Sequence, residues 1–546
     1  MKLLALFRRD ADVLRFRFLL LAAISGLANA AVLATINVAA QNVSSKQSNL
    51  HNLLLFSLAI AIFVVTQKRL MVDVCNQVEH LIHRLRVRLL ERARHAEFLE
   101  IEEIGRSEIY AGLSRETQVI SQAAPNIIIA VQSAVLVLFT MLYMLTLSMA
   151  AFLLSAAFTT LGAAIHLARS GEVKAQLRQA FARENELVEG FTDMLDGFKE
   201  VKMSTTRSLE IAQRVAHVSS DVADLKIRTQ TLYANDFVMS QVTFFLLTGL
   251  MVFVVPSLSQ SHVESVVMTT TASLFMIGPV STVVGALPIF SNANTAAESI
   301  LELEERLSRI DVDRDGDPRQ ADHFHGFRRI VLDGLTFRHH APAGDSGFAV
   351  GPIDLTIERG TVVFITGGNG SGKTTFIRLL IGLYPAVDGT LRVDEERIGP
   401  ENLAAYRNMF SVIFSDNHLF TELYGVPDID QAEADELFRL LEMSHKSSLR
   451  DRRFSTTRLS GGQRKRLALI VSLLEKRPIC VFDEWAADQD PRFREKFYRV
   501  ILPRLRRAGI TVLAITHDDK YFDTADVHLH MEDGRLSPVP LGGVAH

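Results

Sequence analysis

Cysteine is nearly missing from this chain: 546 residues contain two, Cys75 and Cys480. That excludes a disulfide-stapled secreted scaffold. Neither sign of charge prevails, since 58 Lys and Arg stand against 62 Asp and Glu for a net −4. Such a balance argues against a protein that coats nucleic acid, so no nucleic-acid partner is expected. No His/Cys cluster has metal-ligand spacing, and no structural zinc is expected. Internal repeats and low-complexity tracts are missing too, while a hydrophobic content of 48% excludes a disordered or fibrous chain. At about 100–200 residues per domain, the length allows about three units.

Long apolar runs are what the chain does have, and nearly all lie before residue 291. They cover Phe18–Ala39, Leu50–Thr66, Ile127–Leu147, Met149–Leu167, Phe237–Leu258 and Val266–Phe290. Most reach the ~17–25 residues with which a helix crosses a hydrocarbon core of ~30 Å, although the second is short. One such run alone could be a buried soluble helix. Six without internal charge predict six membrane spans.

Basic residues in the connections give the orientation. Lys2, Arg8, Arg9, Arg15 and Arg17 precede the first span. Lys68, Arg69, Arg84, Arg86, Arg88, Arg92, Arg94, Arg106 and Arg115 follow the second, and a series from Arg169 and Lys174 to Lys226 and Arg228 follows the fourth. The opposite connections are short and hold one basic residue, Lys46. The amino terminus and the long loops are therefore expected in the cytoplasm, with the chain returning there after the sixth span. A basic start before an apolar run also resembles a secretory signal peptide. The length of the run, the lack of a small-residue cleavage site and the later spans favour an uncleaved span.

Long loops without structure are uncommon, so these are expected to continue the spans as helices, over Arg84–Ala96 and Ala180–Met203. Near their tips lie Glu103–Gly112 and Asp193–Lys202, either docking helices or parts of a solvated stalk. After the sixth span, Asp311–Asp322, with Gly316 and Pro318, reads as a hinge. From about Phe327 short β-rich runs alternate with helices, the pattern of an α/β domain. The expected division is a membrane domain over 1–310, a linker over 311–327 and an α/β domain over 328–546.

The α/β part carries the chemistry. Val362–Thr366, a β-rich run, leads into Gly367, Gly368, Asn369, Gly370, Ser371, Gly372, Lys373 and Thr374, with Thr375 next. This is the phosphate-binding pattern GxxxxGK[ST] between a strand and a helix. Glycines let successive N–H groups curl around phosphate oxygens, and the helix amino terminus adds its dipole. Lys373 supplies positive charge to the β- and γ-phosphates, and the Thr374 hydroxyl can bind Mg²⁺, so ATP with Mg²⁺ is the expected pair. The apolar run Pro478–Phe482 delivers Asp483 to the metal and Glu484 beside the γ-phosphate, where a carboxylate can orient and deprotonate water. Val512–Thr516 ends at His517, placed to contact the γ-phosphate. Cys480 reads as a packing residue, and Trp485 either packs or covers part of the site.

Leu459-Ser-Gly-Gly-Gln463, followed by Arg464-Lys-Arg466, is the most specific feature. Ser460, Gly461, Gly462 and Gln463 can present donors to a phosphate from a helix amino terminus. With this motif the chain resembles the ABC transporter superfamily, whose signature is LSGGQ. The order of spans and ATPase domain resembles an exporter-type half-transporter. The resemblance implies that each signature completes the ATP site of a second half-transporter, most simply an identical copy, and that the cytoplasmic tips act as coupling helices. It also implies a multi-pass protein of a bacterial cytoplasmic (inner) membrane, in contact with membrane lipids.

A finer resemblance is to bacterial cyclic-peptide and siderophore exporters. It rests on Gly351-Pro-Ile-Asp-Leu355, Phe364–Thr374, Phe414-Ser-Asp-Asn-His-Leu-Phe420, Asp483-Glu-Trp-Ala-Ala-Asp-Gln-Asp-Pro491 and Gly197-Phe-Lys-Glu200. Three positions depart from the superfamily. Ser415 and Asp416 stand where a Gln normally reaches the metal, although the exporter subgroup resembles this form; Ser415 is shorter than Gln, so Asp416 or water could substitute in that contact. His339, in Phe337-Arg-His-His340, stands where an aromatic ring stacks on adenine, a task Phe337 could take over. Ala487 replaces a usual Ser, while Asp490 matches a dimer-contact Asp.

The expected fold is an all-α six-helix membrane domain fused to a cytoplasmic α/β ATPase domain. The expected function is ATP-driven export of a peptide-like substrate by alternating access. Translocation of lipid or hydrophobic drugs is the second reading, and a regulatory membrane ATPase without transport is the third. Asn29, Asn37, Gln132, Gln241, Thr269–Thr271, Ser281 and Thr282 either line a cavity or join helices. Gly278-Pro279 and Pro288 are expected to bend the sixth span.

Overall fold

The fold comes from a computed structural model that describes residues 2–10, 16–44, 50–254, 263–308, 321–339 and 347–540. Arg15, Lys46, Leu258, His340 and hinge residues 311–320 lie outside these, as do the side chains of Arg17, Arg106, Leu167, Arg169 and Lys174. The chain divides into two compact units, Met1–Glu91 with Arg106–Leu307, and Arg92–Gly105 with Ser308–His546.

Among the described residues of the first 308 run helices α1 (Lys2–Asp10), α2 (Phe16–Ser44), α3 (Leu50–His95), α4 (Phe98–Ile104), α5 (Arg106–Ala111), α6 (Thr117–Leu147), α7 (Met149–Asp196), α8 (Phe198–Met203), α9 (Thr205–Phe253) and α10 (Val263–Ser308), with a π-helical turn over Gly112–Glu116 between α5 and α6. α3, α7, α9 and α10 have 46, 48, 49 and 46 residues. At 1.5 Å per residue each measures roughly 70 Å, over twice the hydrocarbon thickness, so the expected continuation of spans into the long loops is what the chain forms. Among the described residues, α2, α3, α6, α9 and α10 carry apolar stretches long enough to cross a membrane, and α7 starts with a shorter one, Met149–Ala164. Pro279 and Pro288 both lie inside the unbroken α10.

Turns between the long helices are capped by serine. Ser148, in extended conformation, accepts from the Ala151 N–H at the start of α7, and Ser204 does the same for Arg207 at the start of α9. Side-chain hydrogen bonds then tie helices together: Gln132 to Ser25 (3.5 Å), Ser25 to Gln67 (3.2 Å), and Asn37 to Tyr143 (3.4 Å). Gln132 and Asn37 therefore join helices. The Thr269 and Thr270 hydroxyls donate to the Val266 carbonyl, and that of Thr271 to Val267, all on their own helix.

In the second unit, one antiparallel sheet runs in the order β2 (Ala349–Glu358), β1 (Arg329–Arg338), β4 (Asp388–Val393) and β5 (Glu396–Arg397). The other runs β12 (Arg535–Pro538), β11 (Val527–Glu532), β3 (Val362–Thr366), β10 (Thr511–Ile515), β9 (Ile479–Asp483) and β6 (Phe410–Ile413), parallel except for β12. β7 (Leu449–Arg450) and β8 (Arg453–Phe454) form a small hairpin. β3, β9 and β10 are buried at all five positions, as expected of parallel strands covered on both faces. Helices α11 (Lys373–Leu380), α12 (Leu403–Arg407), α13 (Gln431–Leu440), α14 (Gly461–Leu474), α15 (Pro491–Lys496) and α16 (Leu502–Arg507) complete the unit.

α4 belongs to this second unit. The Tyr384 hydroxyl and Arg378 Nη1, from the last turn of α11, donate to the Glu102 carboxylate at 2.9 and 3.2 Å. The Arg378 guanidinium also lies 5.3 Å from the Phe98 ring centre. The first tip was expected at Glu103–Gly112, so the segment that joins the α/β unit begins a few residues earlier. The Phe98 and Leu99 side chains explain the shift, because their apolar surface packs on that unit's core. α8 lies in the first unit.

Candidate active site

In open α/β sheets ligands gather at the carboxyl ends of the strands. β3, β9 and β10 bring the expected residues to one such end. β3 runs straight into Gly367, whose φ of 147° suits glycine and where a Cβ would sit 2.2 Å from the Met531 carbonyl oxygen. Gly368, Asn369 and Gly370 are exposed, and Gly372, at φ 103°, turns the chain into α11. Lys373 is buried, with Nζ donating to the carbonyls of Gly367 (2.9 Å) and Gly368 (2.8 Å). The Ser371 hydroxyl is buried without a hydrogen-bond partner in the protein. A cation folded over its own loop and an orphaned hydroxyl inside it suit a phosphate, which would offer acceptors to both.

Thr374 Oγ1 donates to Asp483 Oδ2 at 3.5 Å, so the first turn of α11 meets the end of β9. Burial pushes the Asp483 carboxyl above the usual carboxylate range and the Glu484 charge adds to this, against donation from the Ser415 N–H and hydroxyl. These oxygen donors are the hard ligands Mg²⁺ takes. The charge of Asp416, which is exposed, acts on Arg378.

Glu484 adopts the left-handed conformation, at φ 50°. Its N–H donates to the Ile515 carbonyl (3.2 Å), and its carbonyl accepts from Lys465 Nζ (2.9 Å). Its carboxylate lies 3.5 Å from His517 Nε2, both side chains being partly open to solvent. Strand register explains the meeting, since Ile515 pairs with Asp483 and each strand ends beside the other. Trp485, 1% exposed, donates to the Lys465 carbonyl and packs 4.4 Å from Phe497, so it is a core residue and covers no part of the site. Cys480 is likewise buried, its thiol pushed up to about 12 by burial.

His339 is half-buried, edge-on to Phe337 (4.9 Å) and Tyr384 (5.7 Å). Phe337 is buried and stacked on Tyr384 at 4.6 Å, so it cannot take over adenine stacking as the sequence allowed. Ser460 and Gln463 bond each other in a capping box at the start of α14, with Gly461 and Gly462 in its first turn. Asp490 accepts from Phe493 N–H (3.0 Å) and pairs with Arg466 (2.6 Å).

Two residues escaped the sequence reading. Lys465 hides in the basic run Arg464-Lys-Arg466, yet it is buried and holds both the Glu484 carbonyl and the Asp488 carboxylate (2.8 Å). Its helical spacing to buried Ala468, Leu469 and Ser472 is a signal that puts it on the inward face. Phe348, an exposed ring, lies 3.1 Å from where a Cβ at Gly372 would be, and its carbonyl accepts from the His339 N–H. It follows a stretch that gave no strand pattern to place it.

Comparison with known proteins agrees with this geometry. The ABC transporter family model matches residues 350–487, and the ABC transporter transmembrane region model matches residues 15–280. ATP-binding protein SyrD of Pseudomonas syringae pv. syringae is 31% identical over 538 residues, 95% of this chain and 93% of that protein. The chain belongs to the ABC transporter family. As an exporter-type ABC half-transporter, it joins a multi-pass membrane domain to an ATPase domain that binds ATP and couples its hydrolysis to transport. The ATP-dependent lipid A-core flippase of Albidiferax ferrireducens is 25% identical over 279 residues, 49% of this chain and 46% of the flippase. The lipoprotein-releasing system ATP-binding protein LolD of Porphyromonas gingivalis is 31% identical over 201 residues, 34% of this ABC transporter and 90% of that protein.

Proposed function

We propose that this ABC half-transporter works as a homodimer in a bacterial cytoplasmic membrane and exports a peptide-like molecule by alternating access. The observation that carries the ATPase chemistry is the meeting of Thr374, Asp483, Glu484 and His517 at the ends of three neighbouring strands. The backbone N–H groups of 367–375 and Lys373 hold the phosphates of ATP. Thr374 and Asp483 would hold Mg²⁺, with Ser415 orienting Asp483; the ion would supply positive charge against the phosphates. Glu484 accepts a proton from the attacking water as its oxygen bonds to the terminal phosphorus and the bridging P–O bond breaks, giving ADP and phosphate. His517 holds the Glu484 side towards the phosphate. Asp416 is exposed and its charge acts on Arg378 of α11, and His339 and Phe348 offer rings for adenine. Ser460, Gly461, Gly462 and Gln463 serve the site of the second copy.

Support for peptide-like cargo is the resemblance of Gly197–Glu200, Phe414–Phe420 and Asp483–Pro491 to cyclic-peptide and siderophore exporters. The lipid flippase aligns over 49% of the chain, too little to carry its lipid cargo over to the whole protein. The test is ATP hydrolysis by the purified transporter in lipid nanodiscs, with peptide fractions from the native host or with lipids added. Stimulation by peptides supports the reading. Stimulation by lipids alone turns it to lipid translocation, and hydrolysis insensitive to every addition, without transport, turns it to a regulatory ATPase.

A further inference from the structure

Lys465 lies one turn into α14, the helix that the signature opens, and its side chain is buried. A buried ammonium is costly unless its donors are used. Two of them are, by the Glu484 carbonyl at 2.9 Å and the Asp488 carboxylate at 2.8 Å. The turn after β9 bonds back to the same helix: Trp485 Nε1 donates to the Lys465 carbonyl at 2.8 Å, and Gln489 Nε2 to the Gly462 carbonyl at 3.1 Å. A Cβ on Gly462 would sit 2.6 Å from the Asp488 carbonyl oxygen, so the first turn of α14 is pressed against residues 484–489.

A salt bridge that only anchored α14 would need Asp488 alone, whose side chain is 54% exposed and has water available to it. The bond to the Glu484 carbonyl does something else. Peptide planes are rigid, so the two planes that flank a Cα fix the direction of its Cβ. At Glu484 the preceding plane is held by the Ile515 carbonyl, which accepts from the Glu484 N–H at 3.2 Å, and the following plane is held by Lys465. Together they keep φ at 50° and ψ at 34°, a conformation uncommon for a residue with a side chain. That conformation aims the carboxylate, which stands 3.5 Å from His517 Nε2. Without the ammonium the second plane is free to turn, and the carboxylate turns with it. We propose that Lys465 is the positioning residue for Glu484, setting the aim of the base in its own copy from the helix whose signature serves the ATP site of the second copy. This rests on the ATPase and two-copy reading above and adds a residue to it.

The test uses the full chain in lipid nanodiscs. Lys465→Met keeps the apolar stem of the side chain and removes the ammonium. Misplacing a reacting group by roughly 1 Å can cost about 100-fold, so kcat for ATP should fall roughly tenfold or more. KM and the binding of Mg²⁺-ATP should stay within about twofold of wild type, which also shows that the site has folded. Lys465→Arg, which can still donate to the Glu484 carbonyl, should recover part of the rate. Added to Glu484→Gln, Lys465→Met should lower the residual hydrolysis by less than about twofold, because the base it positions is already gone. The same fold loss with and without Glu484→Gln, a loss confined to KM, or a larger loss from Asp488→Asn than from Lys465→Met would overturn the assignment. A second arm locates the effect. When a Lys373→Ala copy is assembled with a Ser460→Arg copy, the complete site uses Glu484 of the Ser460→Arg copy. The loss caused by Lys465→Met should follow that copy; a larger loss from the copy that lends the signature would overturn the assignment. A mixed pair already inactive before Lys465 is changed contradicts the shared site, while the comparison with Glu484→Gln still decides the role of Lys465.

Discussion

Glu484 is held at a positive φ between two strands, by Ile515 through its N–H and by Lys465 through its carbonyl. A non-glycine residue in that region costs on the order of 1–3 kcal/mol, strain that the surrounding bonds offset and that active sites often store. The result is a carboxylate aimed away from the buried strand that carries it, beside His517. Replacing Glu484 with Gln keeps the shape and removes the proton acceptor. Phosphate release by the purified protein should then fall by on the order of 100-fold or more, with ATP still bound. The phosphate loop and the Asp-Glu pair were legible because their chemistry demands those residues at fixed spacing along the chain. Lys465 and Phe348 were not, because their roles come from a helix face and a strand pairing that bring distant residues together.

The α4 helix and strand β11 show how elements bear on that site. Glu102 of α4 accepts from Arg378 on α11, whose first turn holds Lys373 and Thr374, so α4 is tied to the phosphate-loop helix. A hydrogen bond to a charged group contributes roughly 1.5–3 kcal/mol. Glu102→Ala should therefore speed amide exchange across 98–104 by roughly tenfold or more, with hydrolysis retained and export reduced. On the far side of β3, His528 of β11 sits 3.0 Å from the Thr366 hydroxyl and is 8% exposed. Burial, and to a lesser extent the charge of His530, lowers its pKa below the ordinary 6.5. The folded strand thus refuses a proton that the unfolded chain accepts, so stability is full above about pH 6.5 and declines as pH falls towards the folded value. Amide exchange in β3 should quicken below that pH in wild type, and His528→Gln should flatten the dependence. Long helices were legible from their apolar runs and their lack of breakers. The start of the docking segment was not, because it depends on which residues Phe98 and Leu99 meet in a unit remote in sequence.

A half-transporter has one phosphate loop and one signature, and Ser460 and Gln463 use their hydrogen bonds on their own helix cap. If each ATP site combines the loop of one copy with the signature of another, defects in the two motifs should complement. Lys373→Ala and Ser460→Arg should each abolish hydrolysis alone, while co-assembled copies of the two variants should regain activity through one intact site. Two-copy complexes with no activity would contradict the shared site. The membrane domain and the ATPase domain were legible at this scale from apolar length and strand-helix alternation. The most direct test of the account compares metabolites by mass spectrometry in cells and spent medium of the native host. The gene deletion is rescued either by wild type or by Glu484→Gln. The account predicts a peptide metabolite that reaches the medium only with wild type and accumulates in cells with the variant. The same distribution of peptides in both strains would contradict it.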